Sequence, residues 1–135
     1  MIGTPLAKKL GIKPGMRALI VGAPPGFMQL LQPLPDGATV AATRTGLYPF
    51  LQFFARNRAQ VAASVPALLH RAAPGALVWI AYPKTTSGLQ SDLNRDLLAG
   101  DLLPTGWRPV AIVALDQTWS ALRFRPIADV KSRRP

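Results

Sequence analysis

The stretch that decides the fold is ALVWIA (76–81), with YPKTTSGLQ (82–90), WRPVAIVALD (107–116) and TWSALRFRP (118–126) following it. Residues 76–81 are a short apolar run, as expected of a strand buried on both faces. A polar loop comes next. Leu89, Leu93, Leu97, Leu98 and Leu102 then recur at helical spacing, which predicts an amphipathic crossover helix. Ser87 with Gln90 has the spacing of a capping box, and Ser91 is a rival cap. Arg108 to Asp116 and Trp119 to Arg125 read as two strands joined by too few residues for a crossover, so they pair antiparallel. Asp116 suits the first position of the turn between them.

Working back toward the N-terminus, Thr4-Pro5 is a helix start, with Leu6 and Leu10 on one face and Gly11 as the stop. Arg17 to Gly22 (RALIVG) predicts a buried first strand, and Gly22-Ala-Pro-Pro-Gly26 the loop after it. Phe27, Leu30 and Leu31 suit a short helix ended before Pro33. Residues 38–43 (ATVAAT) are a weaker strand. Residues 50–54 (FLQFF) are another, with Pro49 tolerable only at its start. Asn57 caps a helix reaching His70, with Val61, Val65, Leu68 and Leu69 as its apolar stripe and Pro66 as an expected kink or weak point. Pro74-Gly75 predicts a turn. Strands alternating with helices argue for an α/β fold: a mostly parallel sheet, helices on both faces, and a C-terminal antiparallel strand pair. The expected organisation is a single domain over residues 1–126 and a basic tail over 127–135 carrying Lys131, Arg133 and Arg134.

Composition bounds the chemistry. The chain has 135 residues, sixteen Lys and Arg, six acidic residues that are all Asp, and a net charge of +10. Such a balance attracts anions: phosphate-bearing metabolites, nucleic acid or acidic surfaces. The absence of cysteine excludes disulfides and thiol catalysis, and fits a cytoplasmic location. The single histidine, His70, leaves a metal site without its usual ligands, so no metal is expected. The N-terminal residues MIGTPLAKKLG lack a signal-peptide core, and the apolar runs fall well short of the ~20 residues a membrane span needs.

The strand entering a glycine loop and the closing antiparallel pair resemble a class I methyltransferase domain in miniature. More narrowly, LGIKPGMRALIVGAP (10–24), PGALVWIAYPKTTSGLQSDLNRD (74–96) and DQTWSALRFRP (116–126) resemble a small bacterial family of unknown function that reads as shortened methyltransferase-like proteins. That resemblance implies a Rossmann-like sheet, S-adenosylmethionine as cofactor and methyl transfer. The sequence departs from the pattern where the cofactor would sit. Gly22 and Gly26 fit the loop, but Pro24 and Pro25 remove two N–H donors from it. The second strand ends in Thr43-Arg44-Thr45, with no carboxylate for the ribose hydroxyls. A strand–helix unit is also missing between residues 45 and 50. The expectation is therefore against S-adenosylmethionine, and no cofactor is assigned.

Ligands of open α/β sheets bind beyond the carboxyl ends of strands. Lys84, Thr85, Thr86 and Ser87 follow the strand at 76–81 and precede a predicted helix, a combination suited to an anion. Arg56 and Gly26 follow other strand ends and would converge there. Arg44 is a secondary candidate for a phosphate. Asn94 and Arg95 are further secondary candidates; they belong to a polar cluster with Asp92 and Asp96, whose simplest role is local pairing and dipole compensation. Arg123 and Arg125 share one face of the last strand. With the tail they form the one basic cluster, which suits nucleic acid by charge alone. The expected function is a degenerate, non-catalytic methyltransferase-like domain that binds a small anionic ligand or a protein. The alternatives are an active S-adenosylmethionine- or nucleotide-dependent enzyme and a basic accessory protein on nucleic acid.

Overall fold

The computed structural model describes residues 6–41 and 45–128. The Thr4-Pro5 helix start, Thr43, Arg44 and the basic residues of the tail lie outside the described residues. The elements in chain order are α1 (Leu6–Leu10), β1 (Arg17–Val21), α2 (Phe27–Leu31), β2 (Thr39–Val40), β3 (Tyr48–Phe54), α3 (Arg58–Leu69), β4 (Ala72–Pro83), α4 (Arg95–Leu102), β5 (Trp107–Ala114) and β6 (Trp119–Pro126), with one 3₁₀ turn, Leu103–Thr105, after α4. The six strands form one sheet in the order β2-β1-β3-β4-β6-β5. The first four are parallel. β6 is antiparallel to both neighbours and lies between β4 and the edge strand β5. The α/β sheet with a closing antiparallel pair is thus as the sequence predicts.

Two apolar layers sandwich the sheet. Val61 and Val65 of α3 and Leu98 and Leu102 of α4 pack on one face, against Leu51, Phe53, Val78, Ile80, Leu122 and Phe124. Ala7 and Leu10 of α1 and Phe27 and Leu31 of α2 pack on the other, against Phe50, Phe54, Trp79, Ala81, Trp119 and Ala121. Strand alternation assigns each residue to its layer. Trp119 is therefore core, edge-on to Phe54 at 5.3 Å.

Several local expectations shift. β4 begins at Ala72, and Pro74-Gly75 is absorbed as a bulge: the register steps from Tyr48↔Ala72 to Phe50↔Leu77. β2 is only Thr39–Val40 among the described residues. α3 is capped as expected, with Asn57 Oδ1 accepting from the Gln60 N–H at 2.9 Å. Pro66 does not break it, because the residue is exposed and the carbonyl it leaves without an N–H partner has access to water. The helix predicted from the 87–102 leucines starts only at Arg95, with Asn94 as its cap. Gly88 at φ +87° turns the chain, and the Ser87 and Ser91 hydroxyls accept from the N–H groups of Leu89 and Leu93 in local turns. Ile127 still donates its N–H to the Gly106 carbonyl at 2.8 Å, so the fold reaches one residue into the expected tail.

Candidate functional site

β1, β3 and β4 finish at one end of the sheet, whereas the two-residue β2 stops at Val40, beside Ala18 near the start of β1. Val21 of β1 pairs with Phe53 of β3, Phe54 with Ala81 of β4, and Pro83 with Trp119 of β6. Gly22 and Lys84 therefore lie at the same end, each directly after a parallel strand. The strand order reverses direction between β1 and β3, which is where open α/β sheets usually open a crevice.

That point is closely packed. A Cβ on Gly22 would stand 3.1 Å from the Phe54 carbonyl oxygen, and Gly22 holds φ +77°. Gly26 ends the loop at φ +87° with open space around it, leading into the five-residue α2. The Phe27 N–H, the first of that helix, is taken by the Pro24 carbonyl at 3.1 Å. Phe27 meets Phe54 edge-on at 4.7 Å, and Phe54 in turn meets Trp119. The Arg56 guanidinium lies 5.6 Å above the Trp119 ring, on the α1/α2 face.

The open cleft is on the other face. It encloses about 380 Å³ between the β4 end, α4 and β5, and is lined by Tyr82, Lys84, Thr85, Thr86, Asn94, Arg95, Asp96, Ile112 and Ser120. Of the residues expected to converge, Lys84, Thr85 and Thr86 do so, joined by the secondary candidates Asn94 and Arg95. Gly22, Gly26, Arg56 and Ser87 do not line it. Ser87 donates its N–H to the Lys84 carbonyl and shapes the loop instead. The helix expected to follow Ser87 directly is α4, which starts eight residues later at Arg95, and its cap Asn94 lines the cleft. Asn94 Oδ1 accepts from the Leu97 N–H at 2.9 Å.

The loop preceding α4 is anchored to the β3–α3 connection. The Ser91 hydroxyl donates to the Arg56 carbonyl, and Asp92 Oδ1 accepts the Arg58 N–H at 2.8 Å. Asp92 therefore caps α3 rather than pairing within its own cluster, while Arg95 meets Asp96 at 3.4 Å with both side chains exposed. Tyr82, Ser120 and Ile112 were not singled out from sequence. Tyr82 and Ser120 are register partners across β4 and β6, so their meeting depends on an alignment that no local pattern encodes. Burial pushes the Tyr82 phenol above its ordinary pKa, while nearby Arg95 and a hydrogen bond with Ser120 oppose that shift. A neutral phenol and a hydroxyl thus stand beside Lys84 and Arg95. Among the described residues no group of His, Cys, Asp or Glu is placed to hold a metal ion, and no helix is long and apolar enough to cross a membrane.

This sheet, with its reversed closing strand, is the Rossmann-like fold of class I SAM-dependent methyltransferases. The chain superposes on DhpI in its complex with SAH with a TM-score of 0.57 at 13% identity, covering 85% of this chain and 78% of that one. It is similar to the ribosomal protein L11 methylase from Lactobacillus delbrueckii subsp. bulgaricus, with a TM-score of 0.57 at 9% identity over 89% of this chain and 74% of that one. A SAM-dependent methyltransferase from Aquifex aeolicus matches with a TM-score of 0.51 at 16% identity, over 87% and 85% of the two chains. No family model and no curated protein matches the chain.

Proposed function

We propose that this domain keeps a methyltransferase-like scaffold without the catalysis, and binds a small anionic ligand in the cleft beside Lys84. The observation that carries this reading is the convergence of Lys84, Thr85 and Thr86 with Asn94 and Arg95 around a cleft of about 380 Å³. Two cations, two hydroxyls and the start of an eight-residue helix offer charge-assisted hydrogen bonds to a phosphate or carboxylate. Asp96 offsets one of the two cations and keeps the cleft from being a purely basic patch.

The residues present at the β1 end do not fit S-adenosylmethionine. The Phe27 N–H is already bonded to Pro24, prolines occupy the middle of the loop, and Phe54 packs closely against Gly22. No carboxylate follows β2 in the sequence. Thermal melts with inorganic phosphate, a nucleoside monophosphate and S-adenosylmethionine, each at 1 mM or above, test the reading. A ligand at about 100 times its Kd stabilises by ~2.7 kcal/mol, a rise of roughly 9 °C for a chain of this size. The expected result is a rise with an anion, little change with S-adenosylmethionine, and loss of the rise in Lys84→Ala but not in Arg133→Ala. A clear rise with S-adenosylmethionine, or equal losses in the two variants, would overturn it.

A further inference from the structure

Arg108 of β5 and Arg125 of β6 are direct register partners, so two cations face each other across adjacent strands on one side of the sheet. Arg123 lies two residues along β6, on the same side, ~6.8 Å from Arg125 by strand rise. This is the α1/α2 side, whose apolar layer takes in Trp119 and Ala121 of β6 but not Arg123 or Arg125, and Ala111, the register partner of Arg123, is exposed. None of the three arginines forms an ion pair among the described residues; the pairs present are Arg58–Asp101 and Arg95–Asp96. The Arg123 Nε is buried with no hydrogen-bond partner. Burial and the neighbouring Arg125 both lower the Arg123 pKa. Like charges directly opposed across strands are destabilising, so the arrangement calls for an external anion.

We infer that this arginine face of the β5–β6 pair binds the phosphate backbone of duplex nucleic acid without reading its bases. A duplex is favoured over a single strand because base stacking carries much of single-strand affinity, and no aromatic side chain among the described residues is exposed. A duplex instead supplies the denser charge, about one per 1.7 Å of axis. The face lies on the opposite side of β6 from the cleft of Lys84, since Ser120 and Leu122 alternate with Arg123 and Arg125. It stands independently of the small-anion reading.

The test is fluorescence anisotropy of a labelled 20-base-pair DNA duplex against the whole chain, titrated from 50 to 200 mM salt. Arg108→Gln/Arg125→Gln leaves the half-buried Arg123 in place, and its melting temperature should be unchanged or raised because a repulsive pair is gone. Removing two phosphate contacts should flatten the slope of log K against log salt by about 1.8 and weaken binding at 50 mM on the order of a hundredfold. Lys84→Ala should bind the duplex as the parent does. No duplex binding by the parent chain, or an unchanged slope in the double variant, overturns the inference. An equal loss in Arg133→Gln/Arg134→Gln overturns it in favour of diffuse attraction. Equal competition by polyglutamate at matched charge overturns it in favour of an acidic protein partner.

Discussion

Replacing Gly22 and Gly26 by alanine one at a time separates a packing role from a cofactor cradle. Both hold positive φ, +77° and +87°. An L-residue in that region costs about 1–2 kcal/mol. At Gly26 nothing lies within 4 Å of the new methyl, so this conformational cost is the whole effect. At Gly22 the methyl meets the Phe54 carbonyl oxygen at 3.1 Å, and that atom is backbone at the end of β3 rather than a flexible side chain. Opening the contact strains the β1–β3 junction and brings the expected cost to about 2–4 kcal/mol, in the range of overpacking a close contact. With an unfolding entropy of roughly 2.1 cal/mol/K per residue over 135 residues, each kcal/mol moves Tm by about 3.5 °C. Gly26→Ala should lower Tm by roughly 4–7 °C and Gly22→Ala by roughly 7–14 °C, read by calorimetry without ligand. Equal shifts, or a smaller one at Gly22, would refute the claim that Gly22 is required by packing on Phe54.

Two further predictions follow from burial and capping. Gln52 is 1% exposed in the centre of β3, and both polar atoms of its carboxamide lack a partner. Gln52→Leu keeps the shape and removes the desolvation cost, so urea unfolding should show a gain of about 1–3 kcal/mol; a loss would mean the amide is hydrogen-bonded in solution. Asn94→Ala should cost about 1 kcal/mol as the loss of a true cap, whereas Ser87→Ala should cost well under half of that; the reverse order would place the start of α4 back at Ser87.

Features set by short-range physics were legible in the chain. The Asn57 cap depends on a side chain and an N–H three residues away, so the sequence predicts α3 correctly. The β5–β6 pair is antiparallel because residues 115–118 are too few to cross the sheet. Asp116 closes that turn by accepting from the Thr118 and Trp119 N–H groups, as its position suggests. Alternation along β6 likewise puts Arg123 and Arg125 on one face and Ser120, Leu122 and Phe124 on the other. The candidate anion residues Lys84, Thr85 and Thr86 were found from the rule that sites follow parallel strands.

What remained hidden depended on contacts between distant segments. The leucine spacing of 89–102 supports a helix from Ser87, yet the loop to Asn94 is held out of helix by bonds from Ser91 to the Arg56 carbonyl and from the Arg58 N–H to Asp92. Those bonds join residues more than thirty positions apart, so no local pattern contains them. Tyr82 and Ser120 reach the cleft through the β4–β6 register, and Ile112 through that of β5–β6. The same registers place Arg108 beside Arg125. They also separate Arg56, over Trp119, from Lys84, which the sequence alone would bring together. Strand order and face are global properties of a sheet: a one-residue change in register moves a side chain to the opposite face, and only the tertiary structure settles which it is.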